Sequence, residues 1–216
     1  MDMAIFFTLL VFIIIVLGAL AVIIIVIETI FDSPKHLGDS AMHVMSDELH
    51  RFDRHEYTII DDVHLLLGED IVQIDNIVVS TYGIFIIEAN AHAGDIYGKP
   101  SLNKWTQTIG YHEKYKMSNP VKTVQHLERA LHKLIGDQLK GEIVPFVAFP
   151  FAKQLNVDQR DMIGKPWQVI EKLRSFDTEI YNHAERMSIV ETIKTANIVD
   201  PKILEDYKTS LKMNAI

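Results

Sequence analysis

The chain has 216 residues, no cysteine and a formal net charge of −8. That length suits one domain plus one extra element. The missing cysteine excludes disulfides, thiolate metal sites and cysteine nucleophiles, and the acidic balance excludes coating of nucleic acid by bulk charge.

The extra element comes first. Ala4–Ile27 carries no charged residue. As a helix rising about 1.5 Å per residue, the run spans about 36 Å, enough to cross a bilayer. A cleaved signal peptide fits less well, because the leading Met-Asp-Met has no Lys or Arg and apolar residues continue past Ala19–Ala21. The sequence predicts a single-pass transmembrane helix within residues 1–30, a linker over 31–40 and one domain over 41–216. No basic residue precedes the run, while Lys35, Arg51 and Arg54 follow it. The positive-inside rule then places the domain on the cytoplasmic side of the cell membrane. Gly18, Ala19 and Ala21 offer a small-residue face for a protein partner or a second copy of the chain.

Ala41–Phe52 reads as an amphipathic helix, with Met42, Met45, Leu49 and Phe52 at three-to-four spacing. Strand patterns follow at Tyr57–Leu67, Ile71–Ser80 and Ile84–Ala89. Gly94–Lys99 reads as a short strand or turn, and Lys104–Gly110 as a further strand. Asn119–Ile135 is a helix with Pro120 in its first turn, where proline is tolerated. Ile143–Pro150 is a buried-strand pattern, and the tail carries helices such as Pro166–Phe176 and Ala184–Ala196. This order predicts an α/β fold, with α+β as the alternative: a mixed central sheet flanked by helices.

The hairpin written QIDNIVVSTYGIFIIEANAHAG, from Gln73 to Gly94, places one acid in each strand. With the turn at Thr81–Tyr82, Asp75 lies opposite Glu88; with the turn at Tyr82–Gly83, it lies opposite Asn90. In both registers Gln73, Asp75, Glu88 and Asn90 share one face, and Ile74, Val78, Phe85 and Ile87 share the other. Opposed side chains have Cβ atoms about 5 Å apart. Two facing carboxylates resist ionisation together unless a cation lies between them. Mg²⁺ suits such a pair, since it takes oxygen ligands, keeps several waters and polarises phosphate. A solvated sheet edge is the other reading of the same pattern.

The hairpin and its flanks resemble the nuclease-related domain family, NERD, of the PD-(D/E)xK nuclease superfamily. EYTIIDDVHL is similar to the family's first strand. QIDNIVVSTYGIFIIEANAHAGDIYG is similar to its central motif: Q-I-D-H, a hydrophobic run, Y-G, I-E-x-K-N and G-x-I-x-G. KWTQ, NP, a helix and VPFVAF follow in the family's order, so the resemblance covers roughly Met42 to Val147. It implies a restriction-endonuclease-like fold and divalent-metal-dependent cleavage of DNA, with Mg²⁺ or Mn²⁺ held by Asp75 and Glu88. Gln73 matches the Gln two positions before the Asp. The motif Lys falls at Asn90 and the following Asn at Ala91. A family Glu on the preceding helix falls at Met42, with Asp47 and Glu48 out of register. A family Gln after NP falls at Thr123, with Gln125 two positions late.

These departures leave two readings. In one, Asp75, Glu88, Asn90 and Gln73 form a working nuclease site. Asn90 donates hydrogen bonds but carries no charge and is no base near pH 7, so His92, Lys99 and Lys104 are substitutes for the Lys. In the other, the domain binds nucleic acid or a protein partner at the membrane without cutting. Lys122, His126, Arg129 and Lys133 form a basic stripe on the helix after Pro120, suited either to phosphate contact or to an ordinary solvated face. Trp105 and Tyr97 suit base stacking or a core. No zinc spacing and no Gly-rich phosphate loop occurs.

Overall fold

A computed structural model gives the fold and describes residues 12, 13, 15–23, 34–110, 113–158 and 161–214. Two units emerge, Met1–Ser40 and Ala41–Ile216. In the first, residues 12, 13 and 15–23 are helical and their side chains are exposed. Most of the apolar run Ala4–Ile27 lies outside the described residues, and so does most of the anchor read on it. Among the described residues, no helix is long and apolar enough to cross a membrane.

The described elements then run α1 (Pro34–Leu49), β1 (Tyr57–Leu67), β2 (Asp70–Ser80), β3 (Gly83–Ala89), β4 (Gly94–Gly98), β5 (Lys104–Ile109), β6 (Glu113–Ser118), α2 (Pro120–Ile135), β7 (Ile143–Ala148), β8 (Ala152–Val157), β9 (Ile163–Gly164), α3 (Pro166–Arg174), α4 (His183–Ala196) and α5 (Pro201–Asn214). Helix α1 begins at Pro34, so residues 34–40, expected as linker, are helical.

The strands make two mixed sheets, where the sequence suggested one. The larger has the order β1-β2-β3-β7-β9 and the smaller β6-β5-β4-β8. In the larger, β1, β2 and β3 are antiparallel, while β3, β7 and β9 run parallel. Strands β6 and β8 escape the sequence pattern for a physical reason. They are sheet edges, so Glu-Lys-Tyr-Lys-Met-Ser and Ala-Lys-Gln-Leu-Asn-Val bury few side chains and show little apolar alternation.

Both faces of the larger sheet are covered. On one, Ile77, Val79, Ile84 and Ile86 pack with Val124, Leu127 and Leu131 of α2 and with Ile189 and Ile193 of α4. The smaller sheet adds Ile96, Trp105 and Met117 to this cluster. On the other face, Val78, Phe85, Ile87 and Phe146 pack with Met45 and Leu49 of α1 and with Val169 and Leu173 of α3. The hairpin therefore has no polar face. Ile77, Val79, Ile84 and Ile86 share the side of the two acids and are fully buried. Ile74 joins this same cluster rather than that of Val78 and Phe85. At the same level of the ladder, between the pairs Asp61↔Asn76 and Val63↔Ile74, Asp62 of β1 takes a left-handed φ of 51°.

Helix α2 starts where it does because Asn119 caps it. Its Oδ1 accepts from Val121 N at 3.0 Å, and its Nδ2 donates to Pro100 O at 2.9 Å and Leu102 O at 2.7 Å. With the residue only 2% exposed, Asn119→Ala loses a cap worth about 1 kcal/mol and two further hydrogen bonds, to Pro100 O and Leu102 O, worth about 0.5–1.5 kcal/mol each. Urea unfolding should show a loss of about 2–4 kcal/mol by those same magnitudes. Asn119→Ser should recover only the cap.

Candidate active site

Strands β2 and β3 pair from Ser80↔Gly83 to Asn76↔Ile87, and the ladder stops there. The turn is therefore Thr81–Tyr82, which sets Asp75 opposite Glu88. Beyond this point β3 keeps pairing with β7 as far as Ala89↔Ala148. Where the β2 backbone leaves, the Asp75 side chain takes over: its Oδ2 accepts the Ala89 N–H at 2.8 Å. The two carboxylates thus sit at the fork where β2 and β3 part, at the end of an apolar sheet face.

That setting fixes the electrostatics. Burial pushes the Glu88 carboxyl well above its ordinary range, and the Asp75 charge and a hydrogen bond between the two acids push it further. The pair therefore resists ionising together. Glu88 Oε2 is buried and has no hydrogen-bond partner. A buried carboxylate oxygen without a partner, on a residue bonded to a second carboxylate, is an arrangement a small hard cation would complete. The fit is partial. Among the described residues no group of three or more His, Asp or Glu side chains is placed to hold a metal, so such a cation would keep most of its water.

Residues 37–150 match the nuclease-related domain, NERD. The chain belongs to the NERD family. It is also 28% identical over 176 residues to an uncharacterized protein of Bacillus anthracis, covering 79% of this chain and 81% of that protein. No solved structure matches it.

Asn90, at the Lys position, donates its backbone N–H to Ala148 O at 2.7 Å. Its Oδ1 accepts from His92 N at 3.1 Å and meets His92 Nδ1 at 2.7 Å. This amide holds His92. An Nδ1–H donated to Asn90 leaves Nε2 with its lone pair, and burial lowers the His92 pKa, so the ring is neutral at pH 7. Gln73 is exposed and donates to Asp62 Oδ1 at 2.8 Å. Met42 packs against the α1-side core, which leaves that helix without a carboxylate at the family's Glu position. The G-x-I-x-G motif proves to be packing: Ile96 is fully buried, and a Cβ at Gly94 would lie 2.3 Å from Thr108 O.

Lys122, His126, Arg129 and Lys133 all lie on the exposed side of α2. Lys122 bonds to Asn103, and Arg129 Nη2 lies 3.4 Å from His126 Nδ1. Trp105 is core, 1% exposed, and Tyr97 is exposed. Sequence reasoning passed over Asp61 and Asp62. Asp61 Oδ2 meets His50 Nε2 at 2.7 Å, and its Oδ1 accepts from the fully buried Asn76 at 2.7 Å. The doublet of acids inside an apolar strand was the available signal.

Proposed function

We propose that the chain is a membrane-anchored nuclease that hydrolyses DNA phosphodiester bonds with Mg²⁺ or Mn²⁺. The observation that carries this is the Asp75–Glu88 pair at the strand fork, with Glu88 Oε2 unpartnered. Asp75 and Glu88 would hold the cation, and Asp75 also pins the fork through Ala89 N. When bound, the metal supplies a Lewis acid for the phosphate and a water of lowered pKa. Asn90 fixes the His92 ring, and His92 Nε2 is the group able to accept a proton from water near neutral pH. The anchor rests on the uncharged run Ala4–Ile27 and on the exposed apolar helix of residues 15–23. It would confine the domain to the cytoplasmic face of the cell membrane, with a protein partner or second copy paired through the helix.

Asn90 in place of Lys and the packed Met42 favour a second reading: a NERD module that binds nucleic acid or a protein partner at the membrane without cutting. One assay separates the two. The full-length chain in mild detergent is incubated with supercoiled and single-stranded DNA in Mg²⁺, Mn²⁺ or EDTA. Metal-dependent cleavage should fall at least a hundredfold in Asp75→Ala and Glu88→Ala, on the scale of losing a key electrostatic group. His92→Ala should slow it by about 10²–10⁴-fold if it serves as general base. Cleavage by Asn90→Lys alone would mark a lapsed site on an intact scaffold. Silence from every variant, with folding intact, would leave only the binding module.

A further inference from the structure

A pocket of about 240 Å³ lies beyond the edge of β8, between that strand, β9 and the start of α3. Its lining includes Lys153, Gln154, Ile163, Lys165, Trp167 and Gln168, and no carboxylate. In a chain with 29 acidic against 21 basic residues, this is a local reversal of charge. Neither ammonium has an ion-pair partner among the described residues. The α2 stripe differs, since its Lys122 is already bonded to Asn103.

Trp167 is 61% exposed. Tryptophan is rarely left so open on a surface without a partner. The local backbone holds it there: Lys165 N donates to Gln168 Oε1 at 2.8 Å, Gln168 N donates to Lys165 O at 2.9 Å, and Pro166 stiffens the first turn. The ring is presented on a fixed helix start, whose dipole also favours anions. The volume is below the about 300–1,000 Å³ of drug-sized sites, and so suits one ring and its phosphate.

Register ties this pocket to the acid pair. Glu88 pairs with Val147, and Val147 pairs with Ile163, which lines the pocket. Parallel neighbours point to the same side, and Val147 and Ile163 both belong to the cluster on the acids' face. Two strand spacings place the Ile163 backbone about 10 Å from that of Glu88.

We propose that this pocket binds one unpaired nucleotide of a single-stranded nucleic acid, its base stacked on Trp167 and its phosphate held by Lys153 and Lys165. The inference rests on nucleic acid being the substrate class, and it adds strandedness and a binding position. Stacking requires a base with a free face, which a duplex does not offer. All of these residues lie beyond the segment 37–150 that matches NERD.

The test is binding in EDTA, where no metal-dependent cutting intervenes. The chain has two tryptophans, and Trp105 is buried, so quenching of the accessible emission reports Trp167. Oligothymidylate should quench the full-length protein in mild detergent, and a blunt duplex should not. Trp167→Ala should weaken labelled oligothymidylate about tenfold or more, the scale of one lost stack. The salt slope should stay unchanged, and Trp167→Phe should restore part of the affinity. Lys153→Ala with Lys165→Ala should reduce the slope of log K against log salt by about 0.7, the worth of one phosphate contact on a single strand. Equal binding by parent and both variants, equal quenching by duplex, or no binding of oligothymidylate overturns the proposal. So does full competition by millimolar inorganic phosphate, which would mark a bare anion site. Binding that behaves as stated in a protein that never cleaves leaves the pocket in place and removes the nuclease. Cleavage with binding unaltered in the variants does the reverse.

Discussion

Gly98→Ala should be among the most damaging single-methyl changes the domain can take, lowering stability by about 3–5 kcal/mol, the scale of deleting a buried tryptophan. A Cβ at position 98 would lie 2.0 Å from Trp105 Cδ2 and 2.4 Å from its Cγ and Cε2. The ring cannot yield sideways: it is 1% exposed, and its Nε1 donates to Lys99 O at 2.9 Å. Expelling it also strips cover from Met117, its cross-strand partner. At about 2–4 °C per kcal/mol for a chain of this size, melting should fall by roughly 10 °C. Gly68→Ala is the control. Gly68 has φ +69° but open space around its missing Cβ, so that change carries only the left-handed strain of about 1–2 kcal/mol. Combining Gly98→Ala with Trp105→Leu should recover part of the loss, because the two changes share one contact. Equal melting of the two glycine variants would mean that Trp105 does not stand where the packing puts it.

The same glycine shows what the sequence could and could not tell. GDIYG stands out as a motif, but its spacing does not say whether the glycines face a ligand or an indole ring; only the packing of Trp105 decides. The opposition of Asp75 and Glu88 was legible as one of two registers that strand parity leaves, and the observed turn at Thr81–Tyr82 selects it. The burial of both hairpin faces was legible too, in the unbroken apolar runs Ile77–Val79 and Ile84–Ile87, which mark a strand covered on both sides; the acids drew the reading toward a polar face instead. The left-handed backbone at Asp62 was hidden, since a non-glycine residue with positive φ has no sequence signature of its own. Edge strands β6 and β8 were hidden because most of their side chains meet solvent, which leaves no apolar alternation to mark a strand. Trp167 and its two lysines are far from the acids in sequence. They come near only because β9 adds to β7 in parallel, a pairing set by the crossover through β8 rather than by any local pattern.

Glu88 should make the metal-free protein less stable as pH rises. Its carboxyl sits well above the ordinary 4.5 because it is buried beside Asp75. The folded state therefore holds a proton that the unfolded chain has released, and stability falls from about pH 4.5 upward until the folded carboxyl has ionised. Glu88→Gln removes this dependence, since the amide keeps a donor for Asp75 and never charges. The difference in melting between parent and variant should be small at pH 5 and grow toward pH 8. It should exceed about 1.4 kcal/mol there in favour of the variant, the worth of a single pKa unit. A divalent cation should reverse the order at pH 8. It replaces the proton between the two carboxylates and binds only the folded parent, adding about 2.7 kcal/mol at a hundred times its dissociation constant. The variant, with one carboxylate left, should gain little from Mg²⁺ or Mn²⁺. Calorimetric melting of both proteins from pH 5 to 8, with and without metal, reads all of this without any substrate. Parallel pH profiles would mean Glu88 is ionised and solvated in the folded protein. A metal response equal in the two proteins would place the cation elsewhere. If the profiles diverge and the metal gain belongs to the parent alone, the fork between β2 and β3 is a cation site built from two acids, whether or not Asn90 and His92 can turn it into a cutting one.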